Sequence, residues 1–177
     1  MEDKKIIVLG ESHHGKHVDD ILQAIEDNPK VKGIFIELPV DYQKSVDEYL
    51  ENGKVNNVLN NFFKNASREG NEVRNMLKIF DKANNKNISI ICIDSSKTRT
   101  NKYNEKSSYG YYFLRGESRD DDMFLNIKEY YEENPANYIV IVGAGHFLTD
   151  TDERTGDESL GKKMKDYFSN KLDVVYF

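Results

Sequence analysis

The sequence predicts a three-layer α/β/α fold around a central, mostly parallel sheet of about five strands. Three observations carry this. Short β-branched apolar runs alternate with amphipathic helical stretches. Two of the runs, ending at Leu9 and at Val142, stop at a glycine and deliver a histidine three residues later, in Gly10-Glu11-Ser12-His13 and Gly143-Ala144-Gly145-His146. A third, Gly33-Ile34-Phe35-Ile36-Glu37-Leu38-Pro39, ends on a carboxylate. Runs without polar alternation read as strands buried on both faces, which is the signature of a parallel sheet.

The elements follow in order. Strands are expected at Lys5–Leu9, Gly33–Glu37, Ile88–Ile93, Tyr138–Val142 and Asp173–Tyr176. His17–Asp27 carries Val18, Ile21, Leu22 and Ile25 at helical spacing, and Asn28-Pro29 stops it. Tyr42–Leu50 and Val55–Phe63 continue the pattern. Glu69–Ala83 puts Val73, Met76, Leu77 and Phe80 on one face. Arg119–Glu132 offers Met123, Ile127 and Tyr130 before Asn134-Pro135, and Ser159–Phe168 carries Leu160, Met164, Tyr167 and Phe168. Right-handed crossovers then place helices on both faces of the sheet. The whole chain, residues 1–177, reads as one domain. A polar stretch at about 95–118, rich in tyrosine (Tyr103, Tyr109, Tyr111, Tyr112), leaves the third strand as a long loop. Loops of that length are often functional, so it reads as a lid or recognition loop, or else as a surface insertion.

Composition narrows the function. A net charge of −6 disfavours binding to nucleic acid through phosphate neutralisation. No apolar stretch reaches the ~18 residues of a membrane span. The charged start Met1-Glu2-Asp3-Lys4-Lys5 is unlike a signal peptide, so a cytosolic protein is expected, or one secreted without a cleavable signal. The lone Cys92 lies in an apolar run and reads as a buried, inert thiol.

In parallel sheets, ligands bind beyond the carboxyl ends of the strands. Glu11, His13, Glu37 and His146 gather there, an acid-base or metal-binding set that points to a hydrolase. Gly10 and Gly143 are expected to make tight turns out of the sheet. Glu11 and His13 alternate, so both can face the crevice, where a carboxylate beside a histidine suits general acid-base work. Glu11 also fits the plain role of a carboxylate at a helix N-terminus. Glu37 in an apolar run is costly unless paired, protonated or metal-bound; the alternative is a strand that ends one residue earlier. Asp94 closes its strand in the same way, as a site residue or as a turn cap with Ser95. Arg119 stands at a helix start against the dipole preference, so a site carboxylate or a developing oxyanion should hold it, whereas Asp120-Asp121-Asp122 suits the first helical turn. His13 and His17 are four apart, but Gly15 lies between them and they lack a metalloprotease glutamate. No serine stands in a nucleophile-elbow pattern, and Cys92 sits inside a strand, so covalent catalysis by serine or cysteine is disfavoured.

Leu9-Gly10-Glu11-Ser12-His13, Ile36-Glu37-Leu38-Pro39, Arg119-Asp120 with Met123 and Asn126, and Val142-Gly143-Ala144-Gly145-His146 together resemble the superfamily of erythromycin esterases, ChaN haem-binding lipoproteins and TraB/Tiki proteins. Toxin domains, including a Ras-cleaving endopeptidase and a domain of the Pasteurella toxin, resemble the same group. The resemblance implies a parallel-sheet α/β fold and a pocket holding Glu11, His13, Glu37, Arg119 and His146. It implies hydrolysis of an ester, a peptide bond or another substrate according to branch. The chain lacks the large helical additions of the esterases, a lipoprotein signal and the membrane segments of typical Tiki and TraB proteins. A minimal core of this kind suits a bacterial effector or toxin-like enzyme.

The resulting expectation is water-mediated hydrolysis of a small-molecule ester or a protein substrate. Glu11, with His13, takes a proton from water; His146 and Arg119 stabilise the oxyanion or protonate the leaving group; Glu37 orients them. His14, Asp94, Tyr111 and Tyr112 are candidate substrate contacts. A metal version uses His13, His146 and Glu37 as ligands for one zinc, manganese or iron ion. The rival class is a binding protein that holds haem or a small ligand with tyrosines and histidines.

Overall fold

The computed structural model describes residues 5–11, 17–66, 70–96, 119–151 and 157–176. The strands are β1 (Ile6–Glu11), β2 (Val31–Pro39), β3 (Ser89–Asp94), β4 (Asn137–Gly143) and β5 (Leu172–Tyr176). The described helices are α1 (Val18–Asp27), α2 (Gln43–Asn52), α3 (Asn57–Ala66), α4 (Gly70–Asn85), α5 (Arg119–Glu133), α6 (Gly145–Leu148) and α7 (Leu160–Phe168). The sheet order is β3-β2-β4-β1-β5, and every pairing is parallel.

Strand alternation divides the core into two layers. Leu9, Ile34, Ile36, Leu38, Ile90, Ile139 and Ile141 face one side, where Ile21, Ile25, Val46, Leu59 and Phe80 from α1–α4 cover them. Ile6, Val8, Phe35, Ile93, Val140 and Val142 face the other, against Met123, Ile127, Phe147, Leu160 and Met164 from α5–α7. Gly33 allows a close contact within the sheet. A Cβ there would meet Ile91 Cδ1 at 2.7 Å and Tyr138 Cε1 at 2.8 Å, so the missing side chain lets the Tyr138 ring lie 4.8 Å from that of Phe35.

Two local expectations change. Gly10 lies inside β1 and Gly143 is the last residue of β4, and among the described glycines only Gly53 has a positive φ (70°). Gly10 serves instead as a close-packing position, since a Cβ there would stand 3.1 Å from Tyr176 Cδ1 and 3.4 Å from Ala144 Cα. Second, β2 runs two residues past Glu37, so this carboxylate sits within a central strand and not at its end. The described part of α4 begins at Gly70, one residue after the expected Glu69.

Candidate active site

Three of the central elements bring their carboxyl ends to one place. Glu11 of β1 stands opposite Gly143 of β4 in the ladder, and the Gly143 N–H donates to Glu37 Oε2 of β2 at 2.8 Å. Glu11 and Glu37 thus flank the same residue of β4 from its two neighbouring strands. Alternation puts Glu37 on the Phe35 side, facing α5–α7, and Glu11 on the Leu9 side, facing α1–α4. β4 ends at Gly143, and the single turn α6 follows at once and carries His146. His146 is buried, and its ring lies over the α5 N-terminus.

There the side chains form a chain of alternating charge. His146 Nδ1 donates to Asp120 Oδ1 at 2.6 Å, and His146 Nε2 lies 3.3 Å from Glu37 Oε1. Arg119 Nη2 donates to the same Glu37 oxygen at 2.7 Å. Arg119 also grips Asp94 with two bonds, Nε to Oδ1 at 2.9 Å and Nη2 to Oδ2 at 2.5 Å. The order is Asp120, His146, Glu37, Arg119, Asp94. Each end is tied to backbone: Asp120 Oδ2 accepts from the Leu160 N–H at 2.8 Å, and Asp94 Oδ1 from the Ser95 N–H at 2.7 Å. Ser95 Oγ in turn donates to Asp122 Oδ2 at 2.6 Å. Side-chain exposure is 14% at Glu37 and 10% at Arg119 but only 1% at Asp120, so the network opens to solvent at its Glu37–Arg119 middle.

This environment fixes the charge on His146. Burial alone would push its pKa down, but the Glu37 charge and the hydrogen bonds to Asp120 and Glu37 outweigh that and raise it to about 10. At neutral pH the ring is an imidazolium. It can donate a proton or a hydrogen bond, and it cannot act as a general base.

Arg119, which the helix dipole disfavours at its position, is held by two carboxylates, Glu37 and Asp94. Asp94 combines its two expected roles, capping Ser95 and binding Arg119. Asp120, which its position marks as a first-turn acid and which the resemblance motif includes without a role, is 1% exposed. The signal was present in the helical period: Asp120, Met123, Ile127 and Tyr131 share the buried stripe of α5. His13, His14, Tyr111 and Tyr112, and the rest of the tyrosine-rich loop beyond Ser96, lie outside the described residues. His17 is 3.3 Å from Asp20.

The donor chemistry bears on a metal. Of the expected set His13, His146 and Glu37, the last two are in contact, but the Arg119 guanidinium shares Glu37 Oε1 with His146. Both Glu37 oxygens and both Asp120 oxygens accept from protein donors. A divalent ion bound by Glu37 Oε1 and His146 Nε2 would stand against a cation already in place. No group of three or more His, Cys, Asp or Glu side chains among the described residues is disposed to hold a metal. His13, the third expected ligand, lies outside the described residues.

Cys92 is buried in β3 on the α1–α4 side. Burial, with a smaller effect from the Asp47 charge, pushes its thiol up to about 12, far from a reactive thiolate.

No protein-family model matches the chain, and no curated protein matches it by sequence. Solved structures do match in fold. RRSP, a MARTX toxin effector domain from Vibrio vulnificus, superposes with a TM-score of 0.62 at 16% identity, over 99% of this chain and 33% of that one. A Bacillus cereus protein gives 0.67 at 15% identity, over 98% and 65%. The C-terminal region of Pasteurella multocida toxin, described as carrying a thiol-protease-like catalytic triad, gives 0.55 at 14% identity, over 97% and 22%. The chain spans about a third of the length of the first toxin structures it matches. The fold is therefore one shared with bacterial toxin effector domains. No described helix is long and apolar enough to cross a membrane.

Proposed function

We propose that this protein is a hydrolase that activates water against an ester or peptide bond, as a toxin-like effector domain acting on a protein substrate. The observation that carries the reading is the Asp120–His146–Glu37–Arg119–Asp94 chain at the carboxyl ends of parallel strands. Burying five ionisable groups gives little stability compared with apolar packing, so such a cluster at a sheet's ligand edge is better accounted for by chemistry.

The roles follow from charge. His146, held as an imidazolium beside the solvent-facing Glu37, supplies the proton for the leaving group or a donor for the oxyanion. Glu37, anchored by the Gly143 N–H, positions His146 and Arg119. Glu11, the last residue of β1, reaches the same sheet edge from the other face and takes the proton from water together with His13. His14, Asp94, Tyr111 and Tyr112 are the proposed substrate contacts, although Asp94 is occupied by Arg119 and its part is chiefly to hold that guanidinium. No step is routed through a metal.

The test is turnover by wild type, Glu11→Gln and His146→Ala on a panel of protein substrates and aryl esters, with circular dichroism on each variant. Loss of about 10²–10⁴-fold in both variants, with the fold kept, supports the roles. Wild-type rates in either one would overturn its assignment. Elemental analysis of the wild type after reloading with divalent ions addresses the metal version. Stoichiometric metal lost in His13→Ala and His146→Ala would replace the mechanism above.

A further inference from the structure

The two faces of the sheet are not equally covered near β5. On the α5–α7 side, Ile6 and Val8 of β1 are fully buried. On the α1 side of the same strand, Ile7 is only half-buried, and Val175 of β5 is 42% exposed. The crossover from β4 to β5 runs through α6 and α7 on the far face, so among the described residues no helix lies over β5 beside α1. A groove of about 630 Å³ opens there, floored by Ile7 and Val175, with the buried Leu9 beneath. Its rim is acidic: Asp20 and Asp27 from α1, and Asp173 from β5. No lysine or arginine lines it. His17 lies 3.3 Å from Asp20, Lys5 3.7 Å from Asp173, and Gln23 donates to Asp27 at 2.8 Å, but His17 is part-buried while the carboxylates are exposed, and such surface contacts are weak and easily exchanged.

We infer that this groove seats an amphipathic helix of a partner protein, one with an apolar stripe and two basic side chains two turns apart. The shape favours a helix: the gap is a missing place in a helical layer, beside α1 and over the sheet face. An extended peptide added to the edge of β5 would leave the half-buried Ile7 uncovered. The charge sets the chemistry. Asp20 and Asp27 are seven residues apart on α1, about 10 Å along its axis. A helix packed alongside at the usual 8–10 Å can set a cation opposite each. This surface is separate from the Glu37–His146 cluster and does not depend on the catalytic reading.

The experiment is fluorescence anisotropy with a labelled helical probe of about five turns, with leucines on one face and two lysines seven apart. A second probe has glutamates in place of the lysines. The lysine probe is expected to bind more tightly than the glutamate probe by about tenfold or more, with affinity falling as salt rises. Asp20→Lys/Asp27→Lys should reverse that preference, and Val175→Asp should weaken both probes. All these substitutions are at exposed positions, and thermal melts check that the fold is kept. Equal binding of the two probes, or none, overturns the proposal. So does concentration-dependent self-association abolished by Val175→Asp, which would make a second copy of the chain the occupant.

Discussion

The charge on His146 has a consequence that can be measured without knowing the substrate. In the unfolded chain its imidazole titrates near 6.5, and in the folded protein near 10. A raised folded pKa stabilises the fold fully below the unfolded value, and that stability is lost as pH rises toward the folded value. Between the two values the folded state holds one more proton, and stability falls by about 1.4 kcal/mol per pH unit. From pH 7 to 8.5 the fall is about 2 kcal/mol. The window closes there because Cys92, which burial holds protonated in the fold, adds a fall of the same sign once the unfolded thiol ionises. The perturbation is Asp120→Asn. It removes one of two carboxylates facing His146 and keeps an oxygen for the Leu160 N–H. It should lower stability at pH 7 and reduce the fall across the window, while the Glu37 charge keeps part of it. The assay is urea unfolding at several pH values, followed by circular dichroism and tyrosine fluorescence. A flat wild-type profile between pH 7 and 8.5, or a variant with the wild-type slope, refutes the argument.

Other outcomes follow from packing and burial. Gly161→Ala would place a Cβ 2.8 Å from Phe147 Cα, a backbone atom that cannot step aside, and 3.2 Å from the His146 carbonyl oxygen. It should cost about 1–3 kcal/mol in urea unfolding, and unchanged stability would show that α6 and α7 are loosely joined. Cys92 should resist iodoacetamide in the native protein and react only on unfolding, and Cys92→Ala should keep turnover; fast native alkylation would contradict its buried place in β3. Glu37→Gln should cost about 3–5 kcal/mol, because it leaves His146 and Arg119 short of a buried countercharge. A loss under 1 kcal/mol would mean that the network relaxes around the change.

The strands and most helices were legible because burial on both faces leaves long apolar runs, and such runs are a local property of the chain. Glu37 stood out for the same reason, as a charge where the pattern called for none. So did Arg119, whose place at a helix start demanded a partner. The partners themselves are decided by the fold. Asp94, Glu37 and Arg119 meet because β3 and β2 are neighbours and α5 begins above their ends. Asp120 looked like any first-turn acid until α7 supplied the Leu160 amide and α6 the His146 ring. The turn α6 left no mark in the sequence, since four residues are too few to show a period. Strand order is also invisible locally. That β1 and β5 stand together, leaving an acidic groove beside α1, follows from which apolar faces find one another in space, and no stretch of residues carries that information by itself.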